Sequence, residues 1–324
     1  VTGIVRAHSA ARDIKRLVKD RESKDLIGPP RPQNIKKPPS LSLNTIPRLV
    51  PGSKLQLIDG FEVTVLPKSR KGWGTLCRCL SKGRLRNNKG LCDLVISEII
   101  EELDEVVLLI HAPEAPWNPE NSKLWLENST RLKSKFKQGV YVVLAPEYDG
   151  IDPKRFEHIM KLSQIIRCDL IASAHPIMHH NKRRKLADDL TAIRLGKSID
   201  QLGNDALPNA ETRLRSYTEI LQIFSLYPEA VNNTVRILDE LQFSLDELRY
   251  EYPLEINNGE TPQKRLKRLA LEGLNWRYPS GASKKVQAML DHELNLIGKL
   301  KYEPYFLTVH DIVSFARSRN ILCQ

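Results

Sequence analysis

Cysteine is scarce in this sequence: five residues in 324, with Cys77-Arg78-Cys79 as the closest pair. No second pair sits at zinc-binding spacing, which excludes a disulfide scaffold and a structural zinc module and leaves reduced thiols. Long apolar runs are also missing. A run such as Val106–Ile110 falls far short of the ~20 residues a membrane helix needs. No charged start followed by an apolar core and a cleavage site opens the chain, so no secretory signal is expected. Aromatic residues make up 6% of the chain. Several catalytic signatures are absent as well. There is no Gly-x-Ser-x-Gly, which removes the nucleophile-elbow hydrolases. There is no Gly-rich loop ending in Lys-Ser or Lys-Thr, which removes the P-loop NTPases. There is no Asp-x-Asp, so the paired carboxylates of two-metal phosphoryl transfer have no obvious source.

What is present is a basic chain of ordinary globular composition. Fifty Lys and Arg stand against 39 Asp and Glu, a formal charge of +11, with 41% hydrophobic residues. The length allows roughly two domains of ~150 residues, each able to bury a core. Val1 is not a Met and the last residues carry no tail signal, so a piece of a longer protein is expected.

Seven prolines between residues 28 and 51 (Pro29, Pro30, Pro32, Pro38, Pro39, Pro47 and Pro51) mark a loop or insertion, about residues 20–47. The pattern then becomes regular. Phe61–Leu66 alternates and reads as a strand, and a helical stretch covers Trp73–Ser81. Glu105–Ile110, Val140–Ala145 and Asp169–Ser173 are short Val- and Ile-rich runs suited to strands buried on both faces. Between the last two, Phe156, Ile159, Met160 and Ile166 share a helical face behind Pro153. Strand–helix–strand units in series predict a parallel α/β domain. From Lys185 onward the pattern is helical. Ser216–Glu219 and Ser244–Glu247 are capping boxes, and Thr308 and Asp311 have the same spacing. Asn257-Asn258-Gly259, between Pro253 and Pro262, marks a linker. Beyond it Val286, Met289, Leu290, Leu294 and Ile297 share one face, and Val309, Ile312, Val313 and Ala316 another.

Two features carry possible chemistry. Ser173–His180 follows a predicted strand, and strand C-terminal ends carry ligands in α/β barrels. Within it His175 and His179 are the candidate metal ligands, although no carboxylate accompanies them in the run. The second feature is charge. Lys68, Arg70, Lys71, Arg78, Lys82, Arg84, Arg86 and Lys89 stand in a stretch without acid, and Lys182, Arg183, Arg184 and Lys185 form a compact second cluster. Lys264–Arg268 is a third. Such clusters neutralise phosphates in sequence-independent nucleic-acid binding, whereas a solvated face is the plainer explanation. Only Trp73 lies within the first cluster, so base stacking is poorly supported. The acidic run Glu101-Glu102 and Asp104-Glu105 reads as a solvated helix end.

LRYEYP, Leu248–Pro253, and the stretch from Trp276 to Gln324 containing PYFLTVHDIVSFARS resemble the bacterial C-family DNA polymerases, with Pro304–Ser318 most similar to their error-prone branch. VRAH (Val5–His8), PGSKL (Pro51–Leu55) and LADDLTAIRLG (Leu186–Gly196) agree in order. The resemblance implies a partial PHP-type α/β barrel over residues 1–255, then a mostly helical segment, 256–324, leading into the polymerase palm. It implies a parent enzyme that adds deoxynucleotides to a primer end with Mg2+ in damage-tolerant synthesis. It further implies a cytoplasmic location, DNA as partner, and other replication or repair proteins as possible partners. The Gly-rich stretch and catalytic aspartates of the family would follow Gln324, so this chain alone is expected to be inactive and to need no cofactor. In the error-prone branch the histidine run is similar to Gly-Asp-x-His-x-His. Here His175 stands at the Asp, Ile177 at the first His, and only His179 matches, which argues against metal binding. Candidate DNA contacts are Lys182, Arg183, Arg184, Lys185, Lys68, Arg70 and Lys71, in weak, non-specific binding without membrane association. The alternatives are a PHP-type metal-dependent phosphoesterase or exonuclease, and a non-catalytic DNA-binding remnant of a polymerase gene.

Overall fold

The computed structural model describes residues 7–16, 18, 48–113, 117, 119–248 and 259–323. Most of the proline-rich segment, the first half of VRAH and the Asn257-Asn258 turn lie outside them. The chain divides into two compact units, Val1–Leu248 and Arg249–Gln324.

In the first unit, helix α1 covers residues 7–16. Five strands follow: β1 (Ser53–Gln56), β2 (Glu62–Pro67), β3 (Val106–Ile110), β4 (Val140–Leu144) and β5 (Asp169–Ala172), hydrogen-bonded in that order. Helices α2 (Arg70–Leu85) and α3 (Ile96–Glu102) lie between β2 and β3 in sequence, α4 (Pro119–Phe136) between β3 and β4, and α5 (Asp152–Ile166) between β4 and β5. After β5 come α6 (Arg184–Leu195), α7 (Tyr217–Ile223) and α8 (Pro228–Glu240).

The sheet is mixed rather than parallel. β3, β4 and β5 run parallel through helical crossovers, as the sequence pattern predicts, but β1–β2 and β2–β3 are antiparallel. A hairpin turn accounts for the β1–β2 pair. Asp59-Gly60 supplies the tight reversal, with Gly60 at φ 82° and the Asp59 carboxylate accepting from the Phe61 N–H at 3.0 Å. β1 overlaps the PGSKL stretch, and its four residues are too few to show a strand pattern. Among the described residues the sheet is open, with β1 and β5 at its edges; that is the α/β class, with the barrel only partly evident.

Both faces are covered, which explains the uninterrupted apolar runs. Leu108, Ile110, Val142 and Leu144 pack with Leu76, Ile99, Leu132, Phe156 and Ile159 of α2 to α5. The alternate residues Val107, Tyr141, Val143 and Ile171 pack with Ile237 of α8 and with Leu241. Buried apolar area of this kind contributes about 25 cal/mol per Å². Asn233 and Thr234 on α8 donate to the carbonyls of Leu170 (2.9 Å) and Ala172 (3.1 Å), tying the helix to the edge strand.

The second unit consists of α9 (Pro262–Arg277), α10 (Lys284–Leu300) and α11 (Glu303–Ser318) around Leu266, Leu294 and Leu307. Thr261 and Ser283 cap α9 and α10. On α10 the expected face holds for Leu290, Leu294 and Ile297, whereas Met289 is exposed. One capping expectation needs correction. Thr308 lies inside α11, its hydroxyl donating to the Pro304 carbonyl, and the helix begins at Glu303 with Pro304 in its first turn. The box at Ser244 forms, but it opens only a short 3-10 turn, Leu245–Glu247.

Candidate functional site

The C-terminal ends of β3 and β5 bring two imidazoles together. His111 follows β3 directly, and its N–H donates to the Glu62 carbonyl at 3.0 Å. Its carbonyl accepts from the Trp125 indole at 2.7 Å, and its Nε2 shares a hydrogen bond with the Thr64 hydroxyl at 2.8 Å. His175 follows β5, and the two ring centres are 5.8 Å apart. His175 sits at φ 43°, the left-handed region, where its N–H donates to the Ser173 hydroxyl at 3.2 Å. Burial pushes the His111 pKa down to about 4, helped by the Lys54 charge and by His175. Burial lowers His175 as well, with Lys54 acting in the same direction and Glu62 against it. Both rings are therefore neutral near pH 7. Beside His111, a cavity of 270 Å³ opens between Gln56, Asp59, Glu62 and Trp125.

His111 escaped the sequence reasoning, although it ends a predicted strand just as the His175 run does. His179 is not joined to the pair by any described contact. The Nδ1 of His180 accepts from the Lys182 N–H at 3.2 Å and caps the turn before α6. Met178 is buried, and its backbone bridges to Thr212 and Leu214, so the run also anchors a loop. Magnesium requires several oxygen donors in octahedral geometry. The pocket presents one imidazole, His111, and two carboxylates that are already engaged: Asp59 accepts from the Phe61 N–H and the Asn128 amide, and Glu62 is held by Lys54 at 2.7 Å. Among the described residues no three His, Cys, Asp or Glu side chains are placed to hold a metal. The donor set does not fit magnesium.

The basic clusters differ in setting. On and beside α2, Lys71 pairs with Asp104 (2.6 Å) and Glu105 (3.2 Å), Lys82 with Glu102, Arg86 just after the helix with Glu98, and Lys68 before it with Glu240 (2.7 Å). The Asp104 and Glu105 pKa values are lowered, Asp104 chiefly by Lys71 and Glu105 chiefly by the Ser69 hydroxyl. The acidic run before β3 is thus more than a solvated helix end: it lies along α2 and neutralises part of its charge, a pairing across 20 or more residues that local composition hides. Trp73 stacks on Phe243 at 5.6 Å, so its ring is engaged by the fold.

At the start of α6, Arg184 donates to the Leu207 carbonyl at 2.6 Å and faces Asp188. Lys182, Arg183 and Lys185 are exposed and have no ion-pair partner among the described residues. No acidic residue occupies the first turn of α6. Positive charge at a helix N-terminus opposes the macrodipole and costs roughly 0.3–1 kcal/mol per charge. Helix stability therefore does not explain this cluster. In the third, Arg265 faces Asp311 at 3.3 Å, and Arg268 bridges Glu260 and Glu272.

Comparison with known proteins adds the lineage. Residues 264–324 match the family described as the bacterial DNA polymerase III alpha NTPase domain. Error-prone DNA polymerase 1 of Rhizobium meliloti is 42% identical over 275 residues, which is 85% of this chain and 24% of that protein. The error-prone DNA polymerase of Ruegeria pomeroyi is 36% identical over 336 residues, 100% of this chain and 30% of that protein. That of Saccharophagus degradans is 36% identical over 280 residues, 86% and 26% respectively. In sequence, the chain is thus a member of the error-prone branch of the bacterial C-family DNA polymerases, and it spans about a quarter of the length of the curated relatives it matches.

Proposed function

We propose that this chain is the portion of an error-prone DNA polymerase that leads into the palm, and that it contributes DNA contacts without carrying out nucleotidyl transfer itself. The observation that carries the reading is the collinear similarity to error-prone DNA polymerases across 85% to 100% of the chain. The intact enzyme would join a deoxynucleotide to a primer 3′ end opposite a template base, in synthesis that tolerates damage. Two-metal phosphoryl transfer depends on oxygen ligands that hold metal at the attacking and leaving oxygens. The matched C-terminal stretch, residues 264–324, supplies no Asp-x-Asp for that purpose. In this reading the first unit is a PHP-type domain in which His175 stands where the family resemblance places an Asp ligand. The unpaired cations at the start of α6 favour a phosphate-backbone partner, because they oppose the helix dipole.

A primer-extension assay with the purified chain, a labelled primer–template and magnesium tests the catalytic part. The expected result is no extension. Template-dependent extension above a boiled control would overturn it.

A further inference from the structure

A second concave site lies at the opposite ends of the strands from the histidine pair. Lys68 follows β2, Lys133 is in the last turn of α4, Lys137 follows α4, and Arg236 is on α8. These four cations border one cleft of 350 Å³, against only two carboxylates, Asp169 and Glu240. Lysines at a helix C-terminus are ordinarily explained by the dipole, and that suffices for Lys133 alone. It does not explain why cations from β2 and α8 converge on the same cleft.

The interior of the cleft is built. Tyr141 is 5% exposed, and its hydroxyl oxygen lies 3.5 Å from the Arg236 guanidinium as acceptor. No described hydrogen bond uses the phenol's own proton, which leaves a buried donor at the cleft. Lys137 at φ 42° and Gly139 at φ 80° fold the backbone tightly beneath Lys68; a Cβ on Gly139 would sit 3.6 Å from the Lys68 ammonium. Lys68 is held by Glu240 at 2.7 Å and Arg236 by Asp169 at 3.4 Å, whereas Lys133 and Lys137 have no ion-pair partner among the described residues.

We propose that this cleft binds a phosphoryl group, with Lys133, Lys137 and Arg236 as charge partners and the Tyr141 hydroxyl as a neutral donor. Its volume sits at the small end of ligand pockets, roughly 300–1,000 Å³, and suits a phosphate or pyrophosphate better than a larger organic ligand. The inference rests on the cleft's geometry and is independent of the polymerase reading.

Isothermal titration of inorganic pyrophosphate into the full chain at low ionic strength is the test. One saturable site is expected. Lys133→Ala with Lys137→Ala should weaken it about tenfold or more, because each charge-assisted contact is worth that order. Glu240→Gln, which releases Lys68 and removes a negative charge, should tighten it; this variant guards against loss by misfolding. Lys154→Ala, which removes one charge at an exposed position of α5 outside the cleft, should leave binding unchanged. Absence of saturable binding, an equal effect of Lys154→Ala, or weakening by Glu240→Gln would overturn the proposal. With binding established, an oligonucleotide lacking terminal phosphates separates the sources. Displacement of pyrophosphate assigns the cleft to backbone phosphate, and its absence assigns it to a free phosphate; each result requires the site.

Discussion

The His111 environment makes the stability of the first unit depend on pH in a definite direction. The ring is packed between β2, β3 and α4, bonded to Thr64 and faced by Lys54, His175 and, through the cavity, Asp59 and Glu62. Its pKa falls from the ordinary 6.5 to about 4. Because the folded value lies below the unfolded one, the unfolded chain binds the proton more readily between those limits. The neutral ring's contribution is therefore fully present above about pH 6.5 and is lost as the pH falls toward 4. At about 1.4 kcal/mol per pH unit, the loss approaches ~3 kcal/mol over the window. His175 is lowered in the same direction, but its side chain is exposed to solvent and adds little. His111→Gln keeps a hydrogen-bonding side chain for Thr64 but removes the titration. Urea unfolding at pH 7.5, 6.5, 5.5 and 4.5, followed by circular dichroism, should show the wild type losing stability on acidification more steeply than the variant. The difference should grow by about 1 kcal/mol per pH unit below 6. Parallel pH profiles would refute the reasoning, since they would mean that His111 titrates alike in folded and unfolded chains.

Two further outcomes follow from packing. Arg155, only 7% exposed in its side chain, holds Asp149 at 2.5 Å and Glu147 at 3.4 Å and also pairs with Asp152; Arg155→Ala should cost about 2–3 kcal/mol in urea unfolding, and a loss below 0.5 kcal/mol would contradict the burial argument. Gly72 on α2 has no room for a Cβ because the Glu105 carbonyl backs directly onto it; Gly72→Ala should destabilise by about 1–3 kcal/mol, and a neutral or stabilising thermal shift would show that the helix can move.

Much of the first unit was legible because its strands are buried on both faces. Val106–Ile110, Val140–Leu144 and Asp169–Ala172 announce themselves by composition, and Pro153 marks the start of α5. β1 was not legible, since Ser53–Gln56 alternates over only four residues and is defined by pairing with β2. Thr308 misled for a related reason: a Thr and an acid three apart make a cap only where the chain enters the helix, and Tyr302 already fills that position. The candidate site was half legible. His175 was visible beside its strand, but its partner is 64 residues away in sequence, and only the sheet order brings them together. The basic clusters are visible as charge runs. Which charges are already paired depends on α2 lying along the 98–105 segment, which no local window contains.

The central claim, a polymerase-family segment that meets DNA through phosphates, is tested most directly by fluorescence anisotropy of labelled single strands at several salt concentrations. The account predicts weak binding that falls with salt, with a log–log slope of about −0.7 per phosphate contact and no dependence on base sequence. Replacing Lys182, Arg183, Arg184 and Lys185 by Ala should flatten the slope and weaken all sequences together. No binding at low salt, or a slope unchanged by the quadruple substitution, would contradict it.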